Sequence, residues 1–148
     1  MNHSALRDYF KDYGLYHRTP GNQICHLIGI PLLTVTFLGL LATVGGAGVL
    51  GTPRIDLGLV LWCLASLWYL FLDWRLGLPF SVVALGGYFV GRSLPVPTLW
   101  ILFVLGWVFQ GIGHAVYEKR SPAFFKNVLH LLIGPLWVFA KCVGYQLG

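Results

Sequence analysis

Residues 17–44 read HRTPGNQICHLIGIPLLTVTFLGLLATV, a stretch in which two histidines precede a long apolar run. The run from about Ile24 to Val44 is long enough to cross a hydrocarbon core, which takes ~20 residues of helix. His17 and His26 flank its start, where an imidazole is costly to place in hydrocarbon. The stretch therefore predicts a membrane-crossing helix that begins beside a functional site.

Four more apolar runs follow this one, at about 55–72, 78–91, 98–117 and 123–143, the last starting near Ala123 or Phe124. The chain is 57% hydrophobic and only 10% charged, whereas soluble domains carry about 25% charged residues. We predict an all-α, polytopic membrane helical bundle, with four to five transmembrane helices in a single integral membrane domain over residues 1–148. The third run is short and is led by Pro79, so it is interpreted as either a tilted span or a re-entrant element.

The N-terminal segment has a different pattern, because its apolar and aromatic residues recur at helical spacing beside charged ones. Leu6, Tyr9, Phe10 and Tyr13 share one face. Aromatic side chains in this register are typical of a helix at headgroup level. We predict an N-terminal interfacial helix that is ended by Pro20 and Gly21.

Charge predicts the topology. The ten Lys and Arg residues outnumber the five Asp and Glu residues, giving a formal net charge of +5. No basic stripe or recognition motif accompanies this charge, so we predict no nucleic-acid binding. If all five runs cross, one side carries Arg7, Lys11, Arg18, Arg75, Lys119, Arg120 and Lys126, and the other carries Arg54, Arg92 and Lys141. The positive-inside rule then favours a cytoplasmic N-terminus.

This topology brings four histidines to one leaflet, namely His17, His26, His114 and His130. Nitrogen ligands of this kind suit iron, zinc, copper or nickel better than magnesium or calcium. Glu118 and Asp73 lie at the same face, either as further ligands or as partners that orient an imidazole. The competing interpretation is that each histidine is only a packed or interfacial polar residue. The convergence of all four favours a metal site.

Two signatures in these segments resemble those of a known membrane family, the 2-hydroxy fatty acid dioxygenases, whose fungal member is an endoplasmic-reticulum enzyme of α-oxidation. The resemblance covers nearly the whole chain. Its matching residues are His17-Arg18-Thr19-Pro20-Gly21-Asn22, His26, Gly29-Ile30-Pro31, Leu72-Asp73-Trp74, Gly113-His114, Glu118-Lys119-Arg120, Pro122-Ala123 and Asn127. The chain departs from the family pattern at Lys126 and His130, where an acidic residue and a glutamine are frequent.

The resemblance implies an Fe2+-dependent dioxygenase that shortens a 2-hydroxy fatty acid by one carbon with O2 and without 2-oxoglutarate. It implies His17, His26 and His114 as iron ligands, with His130 as a further candidate from the histidine grouping. Asn22 and Glu118 are implied as supporting residues of the catalytic site. Substrate-binding cations that steer the carboxylate are expected at Arg18, Lys119, Arg120 and Lys126.

Two other functions remain open from the residues. A bis-histidine haem protein would use the same imidazoles to move electrons. A non-catalytic lipid-binding or scaffold protein would use the apolar helices alone. The expected location is an integral membrane, either the bacterial inner or plasma membrane or the endoplasmic reticulum, with the bilayer as the partner.

Overall fold

The computed structural model describes residues 3–45, 55–122 and 127–145. The described residues form six α-helices: α1 (His3–Gly14), α2 (Pro20–Ala42), α3 (Leu57–Leu72), α4 (Trp74–Ser93), α5 (Val96–Ile112) and α6 (His130–Cys142). A π-helical turn, Gly113–Glu118, continues directly from α5. No strand occurs in these ranges beyond an isolated bridge between Gly45 and Asp56. The predicted all-α class is therefore confirmed for the described part of the chain.

The prediction that Pro20 and Gly21 end the first helix is wrong. Helix α1 already ends at Gly14, and Pro20 occupies the first turn of α2. Proline suits this position because its fixed φ is helical and its missing N–H would have had no partner in the first turn. His17 consequently lies in the short connection between α1 and α2, not on either helix.

Helix α2 is the centre of a bundle in which α2, α3, α4 and α5 alternate in direction. Its contacts with α5 and α4 depend on glycines that let backbones approach closely. A Cβ on Gly39 would lie 2.7 Å from the backbone of Gly91 in α4. A Cβ on Gly29 would lie 3.0 Å from the carbonyl oxygen of Gly106 in α5. The start of α2, the end of α3, the start of α4 and the π-helical turn therefore share one end, called here the histidine end.

Helix α6 differs most from its predicted role as a crossing span. It has 13 residues, about 20 Å of helix, against a hydrocarbon core of ~30 Å. Near its start, the Leu132 carbonyl accepts a hydrogen bond from Tyr69 near the end of α3, at 2.7 Å. Near its other end, Lys141 donates to Gln23 in the first turns of α2, at 2.8 Å. Because both contacts are at the histidine end, α6 lies across that end of the bundle.

Helix α6 also continues through Pro135 without dividing into two half-helices. The third apolar run lies in helix α4. It is a continuous helix of 20 residues. Gly77 contacts the backbone of Tyr69 at the histidine end, and Gly91 contacts α2 near the opposite end. It runs the length of the bundle instead of turning back.

Length and composition identify two of the described helical segments as able to cross a membrane: Pro20–Ala42 and Val96–Glu118, each of 23 residues. Helices α3 and α6 are shorter apolar helices, and α4 is long enough but less apolar. The predicted number of four to five spans is thus not established by these two segments. The predicted start of the last run, at Ala123 or Phe124, lies outside the described residues.

The close packing of α2 and α4 generates a prediction. Gly91→Ala should lower the free energy of unfolding by about 1–3 kcal/mol. The reason is that the added methyl group collides with the Val35 carbonyl and the Gly39 backbone. Gly86→Ala in the same helix is the matched control, since nothing lies within 4 Å of its Cβ position. It should leave stability unchanged or raise it by up to ~1 kcal/mol. Unfolding of the two variants in detergent micelles measures the difference, and equal destabilisation would contradict the close approach.

Candidate metal centre

Three of the four predicted histidines come together at the histidine end. His17, His26 and His114 each offer one ring nitrogen, and these atoms lie within 4.8 Å of one another. All three side chains are buried, with 2%, 2% and 4% of their surface exposed. Opposite ligands of one metal ion are separated by about 4.2 Å when each bond is ~2.1 Å long. The spacing is therefore close to that of one coordination sphere.

The hydrogen bonds of His17 and His26 determine which nitrogen faces the centre of the group. His17 Nδ1 lies 2.7 Å from the carbonyl oxygen of Tyr13, and His26 Nδ1 lies 2.9 Å from that of Asn22. A carbonyl only accepts, so both Nδ1 atoms carry the proton. In the neutral rings both Nε2 atoms then present lone pairs, yet they face each other at 2.9 Å. A cation bound to both nitrogens would replace the repulsion of the two lone pairs by attraction of each lone pair to the cation.

The charge state of His17 is consistent with that geometry. Burial lowers the pKa of His17 to about 4, outweighing the raising effect of its backbone hydrogen bond. The imidazole is therefore neutral at pH 7, as a metal ligand must be. Its ring also stacks on Tyr13 with centroids 4.0 Å apart. Stacking and hydrogen bond together fix its orientation although His17 lies outside any helix.

Glu118 is directed away from the histidine nitrogens and toward the connection before α2. Its carboxylate accepts hydrogen bonds from the backbone N–H groups of Arg18 and Thr19, at 3.1 Å each for the shortest distances. It also accepts from the Thr19 hydroxyl at 2.9 Å and from Asn22 Nδ2 at 3.1 Å. The Glu118 carboxylate thereby ties the start of α2 to the end of the π-helical turn.

The hydrogen bonds from Arg18, Thr19 and Asn22 to the Glu118 carboxylate are called here the Glu118 clasp. Asn22 is fully buried and connects this clasp to the histidines. Its side-chain amide donates to Glu118 and, at 3.0 Å, to the carbonyl of Tyr16. Its own backbone carbonyl accepts a hydrogen bond from His26 Nδ1–H. Gly113 makes the arrangement sterically feasible, because a Cβ there would lie 2.5 Å from Asn22 Oδ1. One asparagine thus orients both the approach to α2 and one of the three imidazoles.

His130 and Asp73 do not join the three-histidine group. His130 is buried at the start of α6, and its Nε2 lies 2.9 Å from a carboxylate oxygen of Asp12. The angles of that contact are not those of a hydrogen bond, so both its ring nitrogens lack a hydrogen-bond partner within the described ranges. Asp73 caps α4 by accepting from the Arg75 N–H at 2.9 Å and also accepts from Tyr145. Its role is structural.

The basic residues predicted to bind the substrate lie around the same end. Arg18, Lys119 and Arg120 are exposed. They are neighbours in sequence of Thr19 and Glu118, and Lys119 adopts a left-handed conformation with φ of 54° as the π-helical turn ends. Lys126 lies outside the described residues. The structure places these three cations near the histidine end but not in contact with the imidazoles through any observed hydrogen bond.

A cavity of about 450 Å³ extends from the three histidines into the apolar interior. Along α2 its wall runs from His26 to Leu38, which is about 18 Å of helix axis. Helices α3 and α5 contribute facing walls, including Trp62 and Trp107. Three lining residues, Phe37, Val128 and Leu131, are also 44%, 72% and 48% exposed, so parts of the cavity wall are also outer surface.

Sequence reasoning missed one polar residue of this cavity, Gln110. It lies four residues before His114 on α5 and is 6% exposed. Its place in a long apolar run was the available signal, because a buried polar side chain in such a run usually has a functional partner. The pattern of ionisable residues did not predict it, because the Gln110 amide carries no charge.

Fold and site together define an all-helical protein in which three buried histidines, compatible with a metal ion, close one end of an apolar cavity. Residues 3–146 match the family model described as 2-hydroxy-palmitic acid dioxygenase Mpo1-like. The chain is also 34% identical to the 2-hydroxy-palmitic acid dioxygenase MPO1 of Saccharomyces cerevisiae, over 97% of this chain and 82% of that protein. The chain therefore belongs to the Mpo1-like family. No solved structure matches it.

The clasp around Glu118 generates the second prediction. Glu118→Ala should lower the free energy of unfolding by about 3 kcal/mol, because it leaves several buried or partly buried donors without an acceptor. It should also weaken metal binding, since Asn22 and the start of α2 lose their anchor. Glu118→Gln retains one acceptor oxygen. Its free energy of unfolding and its metal affinity should therefore lie between those of Glu118→Ala and those of the unchanged protein. Unfolding in micelles together with bound-metal analysis measures both effects. Unchanged stability in Glu118→Ala would refute the anchoring role.

Proposed function

We propose that this protein is an iron(II)-dependent dioxygenase that shortens 2-hydroxy fatty acids by one carbon, using O2 and no 2-oxoglutarate. The observation that carries the proposal is the pair of Nε2 lone pairs of His17 and His26 facing each other at 2.9 Å beside His114. Membership of the Mpo1-like family supports the substrate class. Imidazole ligands with open coordination positions are typical of non-haem iron oxygenases.

The donor set fits a metal ion. Two ligands at right angles around one ion lie about 3 Å apart when each bond is ~2.1 Å long, which agrees with the 2.9 Å between the two Nε2 atoms. His17, His26 and His114 would hold the ion. The Tyr13 and Asn22 carbonyls keep the two bonded rings in the correct tautomer. A bound iron(II) supplies the activation of O2 and the oxidative cleavage of the carbon–carbon bond next to the carboxylate.

The remaining residues bind and orient the substrate. The apolar cavity takes the acyl chain, whose carbons advance about 1.25 Å each when extended at ordinary bond lengths and angles. The 18 Å of wall along α2 then covers roughly 14 carbons. Arg18, Lys119, Arg120 and Lys126 are proposed to attract the carboxylate to the histidine end. This effect acts on the encounter of enzyme and substrate, not on the chemical step.

Four helices, α2 to α5, are proposed to cross the membrane, with α1 and α6 at the cytoplasmic interface. Of the described basic residues, seven lie at the histidine end and one at the opposite end: Arg7, Lys11, Arg18, Arg75, Lys119, Arg120 and Lys141 against Arg92. Because α6 lies at the histidine end, Lys141 joins the basic residues that were predicted on the cytoplasmic side. The positive-inside rule supports the same orientation more strongly than it does with five spans.

The alternative functions fit the site less well. Two axial histidines of a haem lie on opposite faces of a flat macrocycle that surrounds the iron. Here the ring centroids of His17, His26 and His114 are separated by 4.2–5.1 Å, so the third imidazole occupies the space that a macrocycle needs. A scaffold function leaves the burial of three imidazoles unexplained, because buried polar groups cost free energy unless they are paired.

The metal proposal leads to a mutational prediction. His17→Ala, His26→Ala and His114→Ala should each abolish O2 uptake with a 2-hydroxy fatty acid and lower metal affinity by more than about 100-fold, since loss of a supporting partner alone costs 10–100-fold. His130→Ala is the matched control, because His130 is buried at the same end but lies outside the group. It should retain about one metal per chain. Metal analysis and O2 consumption of anaerobically purified variants provide the test. Full activity in the first three variants would rule the proposal out.

The proposed topology can be tested by labelling. Ser121 at the histidine end and Ser93 at the opposite end are both exposed, and cysteine is nearly isosteric with serine. In a background in which Cys25, Cys63 and Cys142 are replaced, Ser121→Cys should react with an impermeant thiol reagent only from the cytoplasmic side. Ser93→Cys should react only from the other side. Reaction of both positions from one side would exclude four crossings.

A further inference from the structure

Gln110 is a buried amide with an unused hydrogen-bonding group beside the proposed centre. It is 6% exposed, and its Nε2 has no hydrogen-bond partner among the described residues. It lines the cavity whose wall is otherwise mostly apolar. A buried polar group without a partner costs free energy, and the cost is greater where the surroundings are apolar. Such a residue is retained at this cost where a ligand completes its hydrogen bonds.

The position of Gln110 indicates which part of a ligand it meets. It precedes His114 by four residues on a continuous helix, so the two side chains lie on neighbouring turns of one face, about 6 Å apart along the axis. A chain that leaves the histidine group and enters the cavity passes Gln110 within its first few carbons. Packing holds the amide there, since a Cβ on Gly29 of α2 would lie 2.5 Å from Gln110 Nε2.

The chemistry of the amide favours a hydroxyl over a carboxylate. The unpaired group of Gln110 is its Nε2, a neutral donor that can bond the oxygen of a hydroxyl, whereas a carboxylate is matched better by a cation. A site built to bond a substrate hydroxyl rejects the analogue without it, because the site's own polar group is then left unpaired. We propose that Gln110 is a specificity-determining residue that binds the 2-hydroxyl group of the substrate and selects 2-hydroxy acids over unsubstituted fatty acids. This inference rests on the proposed function and assigns a residue outside the metal group.

The test compares the binding of 2-hydroxyhexadecanoic acid and hexadecanoic acid to zinc-loaded protein in micelles, where no oxidation takes place. Trp62 and Trp107 line the cavity, so quenching of tryptophan fluorescence reports binding. Gln110→Leu should weaken binding of the 2-hydroxy acid about tenfold, equivalent to about 1.4 kcal/mol. Binding of the unsubstituted acid should change less than about twofold, because it makes no hydrogen bond to lose.

Two further variants make the result specific. Gln110→Met retains the length and flexibility of the side chain without its amide, and it should behave like Gln110→Leu if the latter folds poorly. Thr36→Val is the matched control, because Thr36 of α2 is a fully buried polar residue whose hydroxyl already donates to the Leu32 carbonyl at 2.7 Å. It should leave the binding of both acids unchanged. Bound zinc per chain verifies the integrity of each variant.

The outcomes separate the two proposals. If the unchanged protein prefers the 2-hydroxy acid and both Gln110 variants keep the full preference, the role of Gln110 is wrong while the dioxygenase proposal stands. The same conclusion follows if Thr36→Val loses as much preference as they do. If the unchanged protein binds the two acids equally, the proposed substrate class and the role of Gln110 both fail.

Discussion

The site depends on the Glu118 clasp, in which one carboxylate joins parts of the chain about 100 residues apart in sequence. Glu118 accepts hydrogen bonds from the backbone before α2 and from Asn22. Its charge makes these hydrogen bonds stronger than neutral ones. Because Asn22 then holds His26 through its own carbonyl, the clasp positions an imidazole without touching it. The carboxylate thus orients the three-histidine group through Asn22 and is not one of its three members.

The histidine end is also where the fold departs from a simple row of antiparallel helices. Helices α1 and α6 pack on each other there, and both reach the imidazoles: Tyr13 of α1 stacks on His17, and Trp137 of α6 lies 5.6 Å from the same ring. These two helices cover the polar centre while the cavity continues below it between α3 and α5. The arrangement keeps charged groups at the surface and an acyl-sized apolar space inside, which is what a lipid substrate with a polar head requires.

The sequence pattern predicted some helices correctly and others incorrectly. The apolar runs predicted α2 to α5 within a few residues, because burial of apolar surface sets helix length directly. The convergence of His17, His26 and His114 followed from counting alternating segments. The same counting predicted that α6 crosses the membrane, since it treated every apolar run as a crossing, and the structure does not establish that crossing. A run of 13 helical residues is equally suited to lie across an end. Pro20 was misassigned because proline both ends and begins helices, and only the neighbouring donors and acceptors decide which.

The sequence by itself determined the helical class, the long apolar run after His26 that forms most of α2, and the residue types available for a metal centre. Those features depend on local composition and period, which a chain carries without its fold. Tertiary structure alone decided that His130 stays outside the group, that Glu118 binds backbone N–H groups, and that Gln110 lines the cavity while its buried Nε2 has no hydrogen-bond partner among the described residues. Each depends on distances between segments far apart in sequence, and a shift of a few ångströms there changes which groups pair.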